Sequence, residues 1–299
     1  MRDDVVIIIC SRLNSSRVSR KAFKKIAERP ALKILLDNLN LPDIRIWLAV
    51  PSNEVEKYDD FIAENNLKEP PLIYGGNISS PLHRMADLIE DLYPFPKWVI
   101  RITHDDILID PPTIFELLNE CEKQDAGYGY TPEIVEGAGV EIIRTENLLA
   151  AARKRQEPTE FISYFVKGAG LPYPGIVKFK PRSEVCRSYR LTLDYEEDFQ
   201  VMEIMLRSVG FGKPLGTYCQ YLDSNPAILN INSLPDYTIY TCARNVEKYA
   251  LSSLSSVIYS DLKDFEYIFI DDFSTDETVP SIAKCFADKR FKLVLNDEN

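Results

Sequence analysis

The sequence predicts an α/β protein with a Rossmann-like, mostly parallel sheet, followed by a partial second α/β domain. Two observations lead to this prediction. Short apolar runs rich in β-branched residues alternate with segments of helical periodicity, which is typical of a parallel sheet covered by helices. The alternation begins again after residues 223–235, which read DSNPAILNINSLP. We therefore expect two domains, residues 1–230 and residues 231–299.

The first domain opens with a buried strand at 4–10, DVVIIIC. Two of its helices have clear start signals, because Ser80 and Asp110 are good N-cap residues and Pro81 suits the first helical position. Residues 126–193 are less regular and richer in glycine and proline. The other strands are predicted at 44–50, 70–75 and 97–103, and the helices at 29–39, 54–66, 79–93, 110–124 and 195–210.

The second domain repeats the alternation on a smaller scale. Ser274 followed by Glu277 predicts a capping box at the start of its last helix. The predicted strands are 236–243, 265–272 and 291–297, and the predicted helices are 245–260 and 274–288.

The composition restricts the classes of function. The 299-residue chain has a formal net charge of −11, and this acidic balance disfavours general nucleic-acid binding, which usually needs a basic face. Two histidines and six scattered cysteines without a C-x-x-C pair disfavour a zinc site and favour a reducing compartment. No apolar stretch approaches the length of a membrane span. We expect a soluble, cytoplasmic protein without a nucleic-acid partner.

A strongly basic segment follows the first predicted strand, in spite of the acidic balance. Ligands of open α/β sheets bind outside the carboxyl ends of the strands, and Arg12, Arg17 and Lys21 lie in a loop at such an end. Ser15, Ser16 and backbone N–H groups add donors, so the loop is predicted to bind phosphate. The remaining basic residues of the segment are interpreted as a solvated face: Arg20, Lys24 and Lys25.

Two aspartates are candidates for holding Mg²⁺, which binds triphosphates through one or two carboxylates. Asp105 follows the strand ending near residue 103, and Asp194 follows the apolar run RSYRLTL, interpreted as a neighbouring strand. Structural alternatives remain open. Asp194 suits an N-cap with Glu197 completing a capping box, and Asp105 and Asp106 suit a turn.

Several motifs in sequence order resemble one enzyme family. CSRLNSSRVSRKAF resembles the R-x-x-S-x-R-x-x-x-K loop of the cytidylyltransferases that activate acidic sugars, namely the SpsF-like proteins and the acylneuraminate cytidylyltransferases. VIRITHDDILIDP resembles the family's R-[IV]-T-x-D-x-P-x-I-D-P segment, and RLTLDYEEDF its R-x-T-V-D-x-x-x-D segment. The resemblance covers about residues 1–225. Asn14 replaces the usual glycine of the first loop, where a positive φ is expected.

The resemblance implies a nucleotidyltransferase fold and an Mg²⁺-dependent reaction. A sugar hydroxyl attacks the α-phosphate of CTP, pyrophosphate leaves, and the product is a CMP-sugar for surface polysaccharide or glycan synthesis. Homodimers are common in the family. The resemblance assigns catalytic roles to Arg12, Arg17, Lys21 and Asp105, with triphosphate contacts at the three basic residues, metal ligands at Asp105 and Asp194, nucleotide-proximal positions at Arg84 and Arg101, and the sugar pocket at Glu141.

A second set of motifs resembles another family. The stretch from 238 onward resembles the N-terminus of a family 2 glycosyltransferase with the GT-A fold, including Asn245 after the first strand and FEYIFIDDFSTDET after the helix. That resemblance implies that Asp272 contacts the nucleotide. The family's metal-binding D-x-D motif is expected further along than Asn299, so residues 231–299 are interpreted as the N-terminal fragment of such a domain.

Three hypotheses remain open at this point. The leading one is a CTP-dependent cytidylyltransferase fused to the start of a glycosyltransferase. The alternative is a glycosyltransferase chain in which residues 1–225 are a degenerate nucleotide-binding module. The third is a structural or partner-binding role.

Overall fold

The chain divides into two compact units, Met1–Asn232 and Ser233–Asn299, and each is described by itself. The computed structural model describes residues 2–14, 17–39, 41, 43–67, 69–233, 235, 237–262, 264–283 and 290–296.

The first unit is built on a seven-stranded sheet with the order β5-β4-β1-β6-β8-β7-β9. The four strands β5, β4, β1 and β6 are mutually parallel, and only β8 runs antiparallel to its neighbours. The predicted fold class, a mostly parallel Rossmann-like sheet, is therefore confirmed. The sheet strands are β1 (Val5–Cys10), β4 (Arg45–Pro51), β5 (Leu72–Gly76), β6 (Trp98–Thr103), β7 (Tyr128–Tyr130), β8 (Glu141–Arg144) and β9 (Ile176–Lys178), and a small hairpin pairs β2 (Lys25–Ile26) with β3 (Arg29–Pro30).

Helices cover both faces of this sheet. They are α1 (Ala31–Asn38), α2 (Val55–Glu64), α3 (Pro81–Glu90), α4 (Pro111–Lys123), α5 (Thr145–Lys154), α6 (Ile162–Phe165), α7 (Glu196–Val209) and α8 (Leu215–Ser224).

Strand β1 lies at the centre of the core, and all six of its residues are buried. Ile7 and Ile9 pack into the cluster that contains α1, α4, α7 and α8, whereas Val6 and Ile8 pack into the cluster that contains α3 and α5. Burial on both faces explains why the strand is continuously apolar instead of alternating.

The two predicted helix starts are found at the predicted residues, but they are built differently. Asp110 caps α4, because its carboxylate accepts a hydrogen bond from the Thr113 N–H at 3.2 Å. Ser80 occupies the N-cap position of α3 with Pro81 following, yet its hydroxyl lies 2.6 Å from Nδ1 of His83 and accepts no backbone N–H of α3.

The segment before Asp194 is not a regular strand, contrary to the prediction. One isolated parallel bridge joins Arg190 to Glu136. The two segments of the chain approach each other closely at Gly137, which has φ +94°. A Cβ at this position would lie 2.3 Å from backbone atoms of Leu191 and Thr192. Only glycine fits this position, and it lets the two segments approach each other closely with a single bridge between them.

Replacing Gly137 by alanine is expected to lower the free energy of unfolding by about 3 kcal/mol or more, because backbone strain adds to a steric clash. Gly168 is the matched control, since its φ is +104° but nothing lies within 4 Å of an added Cβ. Gly168→Ala should cost only about 1–2 kcal/mol of backbone strain. Urea unfolding of both variants measures the difference, and equal losses would contradict the role of the close approach.

The second unit has a three-stranded parallel sheet with the order β10-β11-β12. The predicted capping box does not form, because the Ser274 hydroxyl accepts from the Asn245 N–H, and Asp276 accepts from the Thr278 N–H instead. The last helix therefore starts later than predicted. The elements are β10 (Tyr237–Ala243), α9 (Glu247–Ile258), β11 (Phe265–Asp271), α10 (Thr278–Ile282) and β12 (Phe291–Leu295). Within the described residues, neither unit has a helix with the length and hydropathy needed to cross a bilayer.

Candidate active site

A cleft of about 370 Å³ opens at the carboxyl ends of β1 and β6. The two strands pair in register down to their last residues, Cys10 with Thr103. The basic loop after β1 and the acidic turn after β6 therefore leave the sheet side by side, at the edge where ligands of open α/β sheets bind. The cleft is lined by Cys10, Ser11, Arg12, Arg17, Lys21, Pro81, Arg84, Arg101, Thr103, His104, Asp105 and Glu160.

Lys21 joins the two predicted metal ligands. Its Nζ lies 2.5 Å from Oδ2 of Asp105 and 3.3 Å from Oδ1 of Asp194, although these carboxylates are 89 positions apart in sequence. Arg17 contacts the same Asp194 oxygen through Nη2 at 3.0 Å. The structure thus brings together four residues that the sequence singled out separately.

The electrostatics of this cluster keep Asp105 ionised. Burial alone would raise the pKa of the Asp105 carboxyl, but the neighbouring His104 and the ammonium of Lys21 hold it well below the usual range. Because burial lowers the pKa of His104, its ring is neutral near pH 7. Lys21 is therefore the neighbour that still carries a positive charge beside Asp105 at that pH. Burial and the charge of Asp105 raise the pKa of Asp106 to about 7. The pKa values of these two adjacent carboxyl groups are thus shifted in opposite directions, and only Asp105 contacts Lys21.

Asp194 is not an N-cap, so that structural alternative is wrong. The N-cap residue of α7 is Tyr195, and the carboxylate that accepts its N–H belongs to Asp198, not to Glu197. The Asp194 carboxylate instead faces three cations: Lys21 and Arg17 at its Oδ1, and Arg190 at 4.0 Å from its Oδ2.

Arg12 lies at the rim of the cleft, where its guanidinium forms a two-pronged ion pair with Glu160. Residues near Glu160 are tied to the start of α3, because the Thr159 N–H donates to the Ser80 hydroxyl at 3.2 Å. His83 Nε2 lies 2.6 Å from the Arg155 carbonyl oxygen and adds a second tie. Sequence reasoning missed Glu160, since 148 residues separate it from Arg12 and no motif links them.

Arg84 lies in the wall of the cleft and is buried. Its guanidinium donates hydrogen bonds to four backbone carbonyl oxygens, so it ties the basic loop to β4 and to the turn before α3. The acceptors are Ser11 at 3.4 Å, Ala49 at 3.3 Å, Asn77 at 2.9 Å and Ile78 at 3.1 Å.

Arg101 and Glu141 pair directly across β6 and β8. The Glu141 carboxylate also accepts the Tyr128 hydroxyl, so it is occupied by two protein donors. Burial opposes ionisation of Glu141, but Arg101 keeps its pKa below the usual range. The structure therefore places Glu141 behind Arg101, and Arg101 itself lines the cleft.

The rest of the basic segment matches a solvated face. Lys25 is exposed, and Lys24 pairs with Glu196 at the surface. The expected positive φ at Asn14 is not found; among the described residues of this loop, Arg20 is left-handed, with φ 51°. Ser15 and Ser16 lie outside the described residues.

Asp105 and Asp194 fit a bound Mg²⁺, because both carboxylates converge on a single cation, the ammonium of Lys21. Within the described ranges, no group of three or more His, Cys, Asp or Glu side chains is arranged to hold a metal ion. Two carboxylates suit Mg²⁺ that is shared with substrate phosphates and water, rather than enclosed by protein ligands alone.

Asp272 belongs to the second unit, where its Oδ1 accepts from Asn296 Nδ2 at 3.1 Å. Its neighbour Asp271 is buried at the end of β11, and its Oδ1 has no hydrogen-bond partner among the described residues. Asn245 Oδ1 accepts from the Thr275 N–H at 2.8 Å and closes the loop beside them.

Comparison with protein families gives two matches. The sequence model of a family described as Cytidylyltransferase matches residues 6–168, more than half of the chain, and that of Glycosyl transferase family 2 matches residues 238–299. No curated protein matches the sequence significantly.

Comparison with solved structures shows the same fold. A cytidylyltransferase from Leptospira borgpetersenii serovar Hardjo-bovis superimposes with a TM-score of 0.64 and 16% sequence identity, and the match covers 77% of this chain and 98% of that one. A protein from Mycobacterium sp. strain JC1 has a TM-score of 0.52 and 11% identity over 70% of this chain and 99% of its own.

Proposed function

Because the chain belongs to the cytidylyltransferase family, whose members are nucleotidyltransferases, we propose that its first unit transfers CMP from CTP to a hydroxyl group of an acidic sugar and releases pyrophosphate. The observation that carries the proposal is the convergence of Lys21, Asp105, Asp194 and Arg17 beside one cleft at the carboxyl ends of β1 and β6. The scattered cysteines support a cytoplasmic location.

The residues of the cleft suit a reaction without a protein nucleophile. The sugar hydroxyl oxygen forms a bond to the α-phosphorus and its proton is released to solvent, while the bond from that phosphorus to the bridging oxygen of pyrophosphate breaks and pyrophosphate leaves. Lys21, Arg17 and Arg12 bind the triphosphate and stabilise the negative charge that develops on the leaving group. Each is now paired with a carboxylate, so nucleotide binding exchanges one anionic partner for another.

The metal of this reaction would be held by Asp105 and Asp194. Bound there, Mg²⁺ supplies neutralisation of charge on the triphosphate and the two carboxylates. Asp105 is suited to this role, because its lowered pKa keeps it ionised.

A screen of nucleoside triphosphates, each with a panel of acidic sugars and Mg²⁺, tests the proposal through pyrophosphate release. Release that requires both CTP and one of the sugars is the expected result. Calorimetric CTP binding without turnover would favour the alternative, a glycosyltransferase chain with a degenerate nucleotide-binding module. The absence of any nucleotide binding would favour a structural role.

Glu160→Gln is expected to tighten CTP binding about 2- to 5-fold, because an exposed ion pair contributes roughly 0.2–1 kcal/mol and the substitution frees Arg12 for phosphate. Calorimetry with CTP measures the change. Glu157→Gln is the matched control, since it removes the same charge from the same segment without breaking the contact with Arg12. Weaker CTP binding by the Glu160 variant would show that Glu160 assists the nucleotide instead of competing with it.

For the second unit we propose a nucleotide-binding role as the N-terminal part of a family 2 glycosyltransferase domain, with Asp272 as a contact residue. The match over residues 238–299 and the position of Asp271 and Asp272 at the carboxyl end of β11 support it. A sugar-activating unit followed by a sugar-transferring one fits polysaccharide synthesis.

A further inference from the structure

A buried polar network lies directly behind Asp194. Its centre is the carboxylate of Asp198, which is only 2% exposed. Oδ2 of Asp198 accepts the backbone N–H groups of Asp194 and Tyr195, each at 2.8 Å. These bonds fix the backbone that carries the Asp194 carboxylate toward Lys21.

Asp198 is itself held by two side chains. Arg190 donates to Oδ2 through Nη2 at 2.8 Å and to Oδ1 through Nε at 3.3 Å. Asn232 Nδ2 donates to Oδ1 at 3.0 Å and to the Arg190 carbonyl oxygen at 3.2 Å. With the two backbone N–H groups, the Asp198 carboxylate accepts five hydrogen bonds, enough to occupy its roughly four acceptor sites.

Asn232 makes the contact that closes this network. Without its amide, Oδ1 of Asp198 would keep only the longer bond to Arg190, and the Arg190 carbonyl would lose a donor. A buried carboxylate that loses a donor rearranges toward the donors that remain, here Arg190 and the backbone of Asp194. Any such shift moves the backbone of Asp194.

Asn232 lies at the end of the first unit, outside the part of the chain that matches the cytidylyltransferase family. It is the last residue of the first unit, and it lies 64 positions beyond the end of the matched cytidylyltransferase region. It is 7% exposed, and it follows a 3₁₀ helix (Pro226–Ile231) whose apolar side chains pack against the main core. The segment that leaves the first unit is thus fastened to the residue that orients a candidate metal ligand.

We propose that Asn232 is a positioning residue for the divalent-cation site and acts on Asp194 through Asp198. The inference rests on the proposed function, in which Asp194 holds the metal. Residues that orient metal ligands typically change metal affinity 10- to 100-fold when they are replaced. Asn232 stands one step further back, so the lower end of that range, about 10-fold, is expected.

The experiment uses the full chain and measures Mn²⁺ binding in the presence of CTP, from the paramagnetic resonance signal of the free ion. Asn232→Ala is expected to weaken Mn²⁺ binding about 10-fold. In turnover assays, the Mg²⁺ concentration for half-maximal rate should rise by the same factor, while kcat at saturating Mg²⁺ stays within about 2-fold of the wild-type value.

Asn225→Ala is the matched control. It removes the same side chain from the same region, and the amide it removes donates to the Tyr221 carbonyl at 2.8 Å, away from Asp198. Its Mn²⁺ affinity should equal that of the wild type. If Asn232→Ala does not fold, Asn232→Ser takes its place and should still weaken Mn²⁺ binding, since the shorter hydroxyl cannot span both acceptors.

Asp194→Asn separates the positioning role of Asn232 from the assignment of Asp194 as a metal ligand. If this variant loses Mn²⁺ affinity while the Asn232 variants keep it, the positioning role is wrong and the metal site stands. If Asp194→Asn binds Mn²⁺ like the wild type, the metal assignment in the proposed function is wrong. Equal weakening in the Asn232 and Asn225 variants would mean that the region acts only through general stability, and this also overturns the inference.

Discussion

Lys21→Ala is expected to lower kcat/KM for pyrophosphate release from CTP by about 10³-fold. Lys21 is buried between Asp105 and Asp194, and we propose that it exchanges them for phosphate oxygens of the nucleotide. Its loss removes a buried cation from the place where charge develops on the leaving group. A continuous assay of pyrophosphate release measures the effect.

The same substitution also leaves two carboxylates without their shared cation, and a second variant separates this effect from catalysis. In Lys21→Ala/Asp105→Asn, one negative charge is removed along with the positive one, so stability should recover. Activity should not recover, because the phosphate contact of Lys21 and the proposed metal ligand Asp105 are both missing. Recovery of turnover in the double variant would show that Lys21 only neutralises Asp105 and that the Asp105 carboxylate is not needed for the metal. Lys25→Ala, at an exposed position of the same segment, should leave turnover unchanged.

The parts of the site that sequence reasoning found are those set by local pattern. The apolar run of β1 and the basic residues after it place a phosphate loop at the carboxyl end of a strand, because strand direction fixes where the loop must lie. Asp110 was found as an N-cap because capping depends on residues three positions apart. Such features need no knowledge of distant neighbours.

The parts that were missed depend on contacts between residues far apart in sequence. Glu160 meets Arg12 across 148 positions, and Asn232 meets Asp198 across 34. Glu141 pairs with Arg101 on the neighbouring strand, a contact that only the antiparallel register of β6 and β8 reveals, while its role in the sugar pocket stays a prediction. The segment before Asp194 has the apolar pattern of a strand, but it forms one isolated bridge, to Glu136 beside the close approach at Gly137.

Asp105→Asn is expected to lower Mg²⁺-dependent turnover by about 10²- to 10³-fold without unfolding the protein. The amide keeps the size of the side chain but loses the charge that a divalent cation needs. Lys21 retains a carboxylate partner in Asp194 at 3.3 Å, so the substitution does not leave a buried ammonium unpaired. Turnover measured against Mg²⁺ concentration should show that added metal does not restore the rate.

Asp106→Asn is the control that gives this prediction its specificity. Asp106 is the next residue, it is half-buried like Asp105, and its carboxylate accepts from the Thr103 hydroxyl at 2.8 Å rather than contacting Lys21. Because its pKa is raised to about 7, it is already partly neutral at neutral pH, and an amide changes its charge much less than the same change at Asp105. Its turnover should stay within about 10-fold of the wild-type rate. Equal losses in the two variants would mean that this turn matters for its conformation, and a wild-type rate in Asp105→Asn would remove Asp105 from the metal site.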